Sequence, residues 1–193
     1  MNKKIYLLPI LLLVLVLTSC EETKEVGKFD NWRARNEAFI DSLSNTYATA
    51  PNRGGLDSIR LISDPFAFIY YKKKTPVVPE GQQPVYGRSP LYTETVTTYY
   101  KGTYIIGEMF DGNFSGANPS IDFSQTTSFA VNGVIVGWTE ILQRMKVGER
   151  WEVYIPWKFG YGSSDYTPIG SSTTIPAYSN LIFDVQLLSI VGE

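Results

Sequence analysis

Apolar residues fall at Trp138, Ile141, Leu142 and Met145 in "WTEILQRMKVG", the i, i+3, i+4, i+7 spacing of one helix face. Glu140 sits in the first turn, Arg144 and Lys146 in the last, and Gly148 is placed to end the helix. A helix of about two turns is marginal alone and has to be held by packing. Trp138 therefore faces either a core or a cavity.

A second helical pattern runs from about Phe29 to Tyr47, with Trp32, Phe39, Ile40, Leu43 and Tyr47 near helical spacing and Asp30 or Asn31 as a cap. It either packs on its own domain, the reading favoured by its short length, or serves as a dimerisation helix. "APNRGG" breaks the chain. "DPFAFIYYKKK" predicts a strand whose three lysines form a solvated edge that discourages further pairing. "TPVVPEGQQPVYGRSP" holds four prolines and two glycines and reads as a loop. From Leu91 onward strands dominate. "LYTETVTTYYKGTYI" is rich in Thr, Tyr and Val. "RWEVYIP" alternates Trp151, Val153 and Ile155 against Glu152 and Tyr154. "LIFDVQLLSI" alternates Leu181, Phe183, Val185 and Leu187 against Ile182, Asp184, Gln186 and Leu188. Strands around one short helix predict an α+β fold, an antiparallel sheet with a helix on one face.

Composition narrows the chemistry. The 193 residues carry a formal charge of −2, which gives no footprint for nucleic acid. There is no histidine, which removes Ser-His-Asp and Cys-His nucleophiles and imidazole-dependent zinc sites. The single cysteine, Cys20, excludes internal disulfides. It ends "MNKKIYLLPILLLVLVLTSC", a basic start, a short apolar run from Ile5 to Leu17 and a small-residue cleavage site. The "LTSC" ending resembles the bacterial lipobox. That resemblance implies a signal peptide over residues 1–19, lipidation of Cys20, and attachment to a membrane of the bacterial cell envelope. Loss of Lys3 and Lys4 moves side-chain charge from −2 to −4. "EETKEVG" reads as a polar tether within residues 20–28, and Glu21 and Glu22 resemble export signals of Bacteroidota lipoproteins.

The order of "VTTYYKG", "MFDGN", "FAVNGVIVGWTEILQRMKVGERWEVYIP", "FGYG" and "IPAYSNLIFDVQLL" resembles the FKBP-type peptidyl-prolyl cis-trans isomerases. The resemblance covers residues 92–193, and residues 29–91 look like the N-terminal extension of Bacteroidota FKBP-like lipoproteins. It implies a curved antiparallel sheet wrapped over one short helix, with an apolar pocket between them. Trp138 would be the pocket floor, with Gly137 letting the backbone turn tightly beneath it. By the same matching, Tyr100, Asp111 and Tyr161 fall on catalytic positions, and Phe110, Phe129, Val134, Ile135, Ile175 and Phe183 on the pocket walls. Two segments are longer than in the family. Residues 112–128 put Thr127 where an aromatic wall is common, leaving that wall open or rebuilt by Phe123. Residues 162–174 replace the short loop over the pocket mouth.

The resemblance implies a lipid-anchored prolyl isomerase that assists exported polypeptides, with no cofactor and no metal. FKBP-directed macrolides are candidate ligands. A non-catalytic module that holds a peptide in the same groove is the alternative, and a glycan-binding surface lipoprotein ranks last. The sequence leaves oligomeric state and membrane leaflet open.

Overall fold

A computed structural model describes residues 27–169 and 172–193. Cys20, the leader and most of the tether lie outside the described residues. The chain divides into two units, residues 1–30 and 31–193. Of the first, residues 27–30 form a turn closed by the Gly27 amide on the Asp30 carboxylate at 2.7 Å.

The second unit opens with helix α1 (Trp32–Thr49). Strands β1 (Asp57–Arg60) and β2 (Phe68–Lys74) follow, then β3 (Thr95–Thr103), β4 (Met109–Gly112) and β5 (Thr127–Ala130). Helix α2 (Val136–Leu142) precedes β6 (Arg150–Ile155) and β7 (Leu181–Ile190). All pairs are antiparallel, in the order β1-β2-β6-β7-β3-β4, with β5 also on β3. The expected α+β class is borne out.

The sheet runs across residue 91, where the sequence reading drew a domain boundary. β2 occupies the free side of β6, with Tyr70 opposite Tyr154 and Lys74 opposite Arg150. The lysines therefore do not form a solvated edge. Lys73 reaches Glu149 at 2.8 Å and Lys74 reaches Asp184 at 2.6 Å, so opposite charges on neighbouring segments turn them into partners.

The sheet buries both faces. On one, Trp138, Ile141, Leu142 and Met145 meet Val153, Ile155, Phe183, Val185 and Leu187. All four residues of the expected α2 face are buried, although the helix ends at Leu142 and Met145 lies beyond it. Gly148 does not terminate α2. Its φ of 88° instead turns the chain into β6, where its amide donates to the Leu187 carbonyl at 2.7 Å. On the other face, Phe39, Leu43 and Tyr47 of α1 pack on Tyr70, Tyr154 and Ile182. Helix α1 thus packs on its own sheet. Asn31, one of the two expected caps, adopts a left-handed backbone, φ 52°, and makes no side-chain capping bond. The helix is fixed further in, where buried Asn36 accepts the Asn180 amide at 2.7 Å.

The Pro-rich loop is held by buried Gln186, whose side chain exchanges two hydrogen bonds with the Val77 backbone, at 2.8 and 2.7 Å. The turn after β1 is held by Glu140. Its carboxylate accepts the Ile62 and Ser63 amides, each at 3.0 Å, and Arg144 at 2.8 Å. Burial alone would raise its pKa, but the two amides and Arg144 outweigh burial and hold the carboxyl below the usual range. A depressed folded-state pKa contributes stability above the unfolded value, about 4.3 for Glu, and loses it as pH falls through the folded value. Glu140→Gln is expected to cost about 1.5–3 kcal/mol at neutral pH, with the difference from wild type shrinking in acid. Urea titrations at several pH values check this. A difference that stays constant into the acid range contradicts it.

Candidate active site

The site begins with a glycine before a tryptophan. Gly137 lies inside α2 with no left-handed backbone, so the tight turn expected there is not its role. A Cβ at this position would stand 2.4 Å from Ile155 Cγ2. The glycine lets α2 approach β6 closely, and that approach seats the Trp138 indole over the sheet.

Trp138 is 3% exposed and is ringed by three aromatic side chains. Tyr100, Phe129 and Phe183 meet it edge-to-face at 5.5, 5.2 and 5.2 Å. Each such contact contributes about 0.5–1.5 kcal/mol beyond buried area. The indole N–H has no acceptor among the described residues, so these ring contacts hold the floor. The rings come from β3, β5 and β7, separate in sequence and brought together by the pairing of β3 with both β5 and β7.

Above this floor is a cavity of about 430 Å³. Eight of the ten residues matched to the site line it: Tyr100, Asp111, Phe129, Val134, Ile135, Trp138, Tyr161 and Phe183. Two lie behind the wall. Phe110 packs edge-to-face on Phe183 at 5.5 Å, and Ile175 is 2% exposed in the core. Phe123, the candidate for rebuilding one wall, is 89% exposed and lines a separate surface depression with Asn113 and Thr127. The segment 112–128 is drawn there by Phe114, which is buried, and by Arg150, which grips Asn118 and the Ala117 carbonyl. Phe129 stands beside the floor in place of Phe123.

The polar groups gather at the rim. The Tyr100 hydroxyl donates to Asp111 Oδ1 at 3.1 Å, and the Gly112 amide donates to the same oxygen at 2.8 Å. Burial, then the Asp111 charge, pushes the Tyr100 phenol well above its usual range. Tyr161 is pushed up to about 12 by burial, then by Tyr166 and Asp111. Its hydroxyl has no hydrogen-bond partner among the described residues, so it is a protonated donor facing the cavity.

Sequence reasoning missed Gly133 and Tyr166, which also line the cavity. Tyr166 sits in the long segment 162–174, where no spacing rule predicts direction. An aromatic residue in a Gly/Ser-rich loop was the only available signal.

A family model described as FKBP-type peptidyl-prolyl cis-trans isomerase matches residues 87–188, just over half of the chain. The chain belongs to that family. The FKBP-type 22 kDa peptidyl-prolyl cis-trans isomerase of Escherichia coli K12 is 38% identical over 105 residues, 54% of this chain and 45% of that protein. The outer membrane protein MIP of Legionella longbeachae is 36% identical over 133 residues, 64% of this chain and 52% of that protein. The chain thus spans about half the length of these curated relatives. The crystal structure of FkpA from Escherichia coli superposes with a TM-score of 0.56 at 28% identity, covering 83% of this chain and 61% of that one. That coverage exceeds the family match, so the superposition takes in residues outside 87–188.

Proposed function

We propose that the protein is a peptidyl-prolyl cis-trans isomerase acting on X–Pro bonds of exported polypeptides, with residues 31–193 as its folding unit and Cys20 as a lipid anchor to the cell envelope. The observation that carries the enzymatic reading is the cavity: an indole floor inside aromatic walls, with a carboxylate and an uncommitted phenol at its rim. The reaction needs only such parts. An X–Pro bond rotates over a barrier of about 18–20 kcal/mol through a twisted amide with less charge separation than either planar isomer. A dry apolar cavity grips the proline ring and favours that less polar form. Tyr161 donates to a substrate carbonyl. Asp111, held by Tyr100 and the Gly112 amide, sets a negative field beside the rotating group. An FKBP-directed macrolide would compete for the same floor.

Tyr161→Phe and Asp111→Ala are each expected to lower kcat/KM about tenfold, or roughly 1.4 kcal/mol, with smaller losses of peptide affinity. Because the Tyr161 phenol titrates near 12, it should remain a donor through pH 10, and its contribution to the rate should persist to that pH. A protease-coupled proline-isomerisation assay on residues 21–193 tests the reading. Proline-peptide binding with no rate above background would overturn it in favour of a non-catalytic peptide-binding module. The anchor is tested separately, by mass spectrometry of the mature N-terminus. The expected result is an acylated Cys20, and an unmodified Cys20 or a start elsewhere ends the lipoprotein reading.

A further inference from the structure

The long segment between Tyr161 and Ile175 brings to the cavity a side chain that the isomerisation chemistry does not use. Tyr166 stacks almost parallel on Tyr161, with ring centroids 4.3 Å apart and planes 10° apart. Its backbone exchanges hydrogen bonds of 2.9 and 2.7 Å with Ile175, which is 2% exposed. On either side, Asp165 accepts the Ala177 amide at 2.8 Å, and the Thr167 and Thr174 hydroxyls lie 2.7 Å apart. Tyr166 is thus carried on a pinned two-stranded bridge. Tyr161 covers one face of its ring, yet 40% of the residue stays exposed, open to whatever enters the cavity mouth.

The charge lining the cavity has one sign. The cavity lining holds Asp111 and, among the described residues, no cation. An aromatic face attracts a cation through its quadrupole, and nearby carboxylates add to that attraction.

We propose that Tyr166, with Asp111, forms a cation-accepting rim, so that the preferred substrates carry Arg or Lys beside the proline. This rests on the isomerase reading of the cavity and names its substrate class. Such contacts are modest at an exposed site. The expected gain in kcat/KM for arginine over its neutral isostere citrulline is about three- to fivefold.

The test uses the full chain in detergent and peptides with Arg or citrulline immediately before or after proline. Exchange NMR reads the isomerisation rate without a coupling protease. Wild type should favour the Arg peptide in at least one of the two positions, and the ratio should shrink as salt is raised. Tyr166→Phe should keep the ratio, because the ring remains. Tyr166→Leu should bring it close to that of Asp111 alone. A wild-type ratio of one in both positions, or a ratio unchanged in Tyr166→Leu, overturns the proposal. If no peptide is isomerised above background, the isomerase reading fails on its own. NMR titrations of the same peptides then decide the rim: tighter Arg binding that Tyr166→Leu loses supports it, and equal affinities overturn it.

Discussion

Phe183→Ala is expected to lower kcat/KM about a hundredfold, and to cost about 3–5 kcal/mol of stability. Phe183 is 3% exposed and joins two layers of the wall, meeting Trp138 at 5.2 Å and Phe110 at 5.5 Å. The adjacent strand leaves no slack for repacking. Gly102 lies opposite Phe183 on β3, and a Cβ there would stand 2.7 Å from both Phe110 and Phe183. Removing the ring opens a void beside the floor, so Trp138 loses the support that sets its angle. The comparison is Phe183→Leu, which keeps an apolar side chain but no ring edge. It should fold with a smaller stability loss and still be slow. Isomerisation must be measured where circular dichroism shows each variant folded. Full activity in folded Phe183→Ala would mean that the floor does not depend on this wall.

Arg150→Met should be the costliest substitution away from the cavity. Arg150 is 2% exposed and donates to both Asp184 oxygens, at 2.8 and 2.7 Å. It also donates to Asn118 and to the Ala117 carbonyl. Truncating one partner of a buried pair costs about 3–5 kcal/mol, because the other charge stays buried. Lys74, 2.6 Å from Asp184, remains and places the loss toward the lower end. Hydrogen exchange in residues 112–128 should speed up, since that segment loses its anchor. The double variant Arg150→Met with Asp184→Leu should recover stability without restoring loop protection. Recovery of both would mean that the loop is held by packing and not by Arg150.

Residues with a repeating neighbour pattern were legible. The alternation in β7 separates Phe183 and Val185 from Ile182, and the structure puts them in different clusters. It did not anticipate that Asp184 and Gln186 would be buried too, because the Pro-rich loop and the 112–128 segment cover that face. The lysines of β2 misled for a related reason. A run of three cations looks like an edge until β6 pairs with it and brings up Glu149, just before β6, and Asp184 on β7. Gly137 was legible as a constrained position, but its cause is an approach to Ile155, eighteen residues later in the sequence, and not a local turn.

The sequence by itself determined the α+β class, strands β2, β3, β6 and β7, the two helices, and the candidate floor, since these rest on local periodicity and on a specific ordered set of motifs. Tertiary structure decided the rest. It made β1 and β2 part of the one sheet, because β6 offers a free ladder of amides and carbonyls that burial requires to be paired. It drew the 112–128 segment away from the cavity, because a buried guanidinium needs more acceptors than Asp184 provides. It brought Tyr166 to the rim, because a loop that pairs with Ile175 has its direction set by that bridge. The first two depend on partners far along the chain, which no window of local sequence contains; the third spans only nine residues, but no periodicity in that Gly/Ser-rich segment marks the pair.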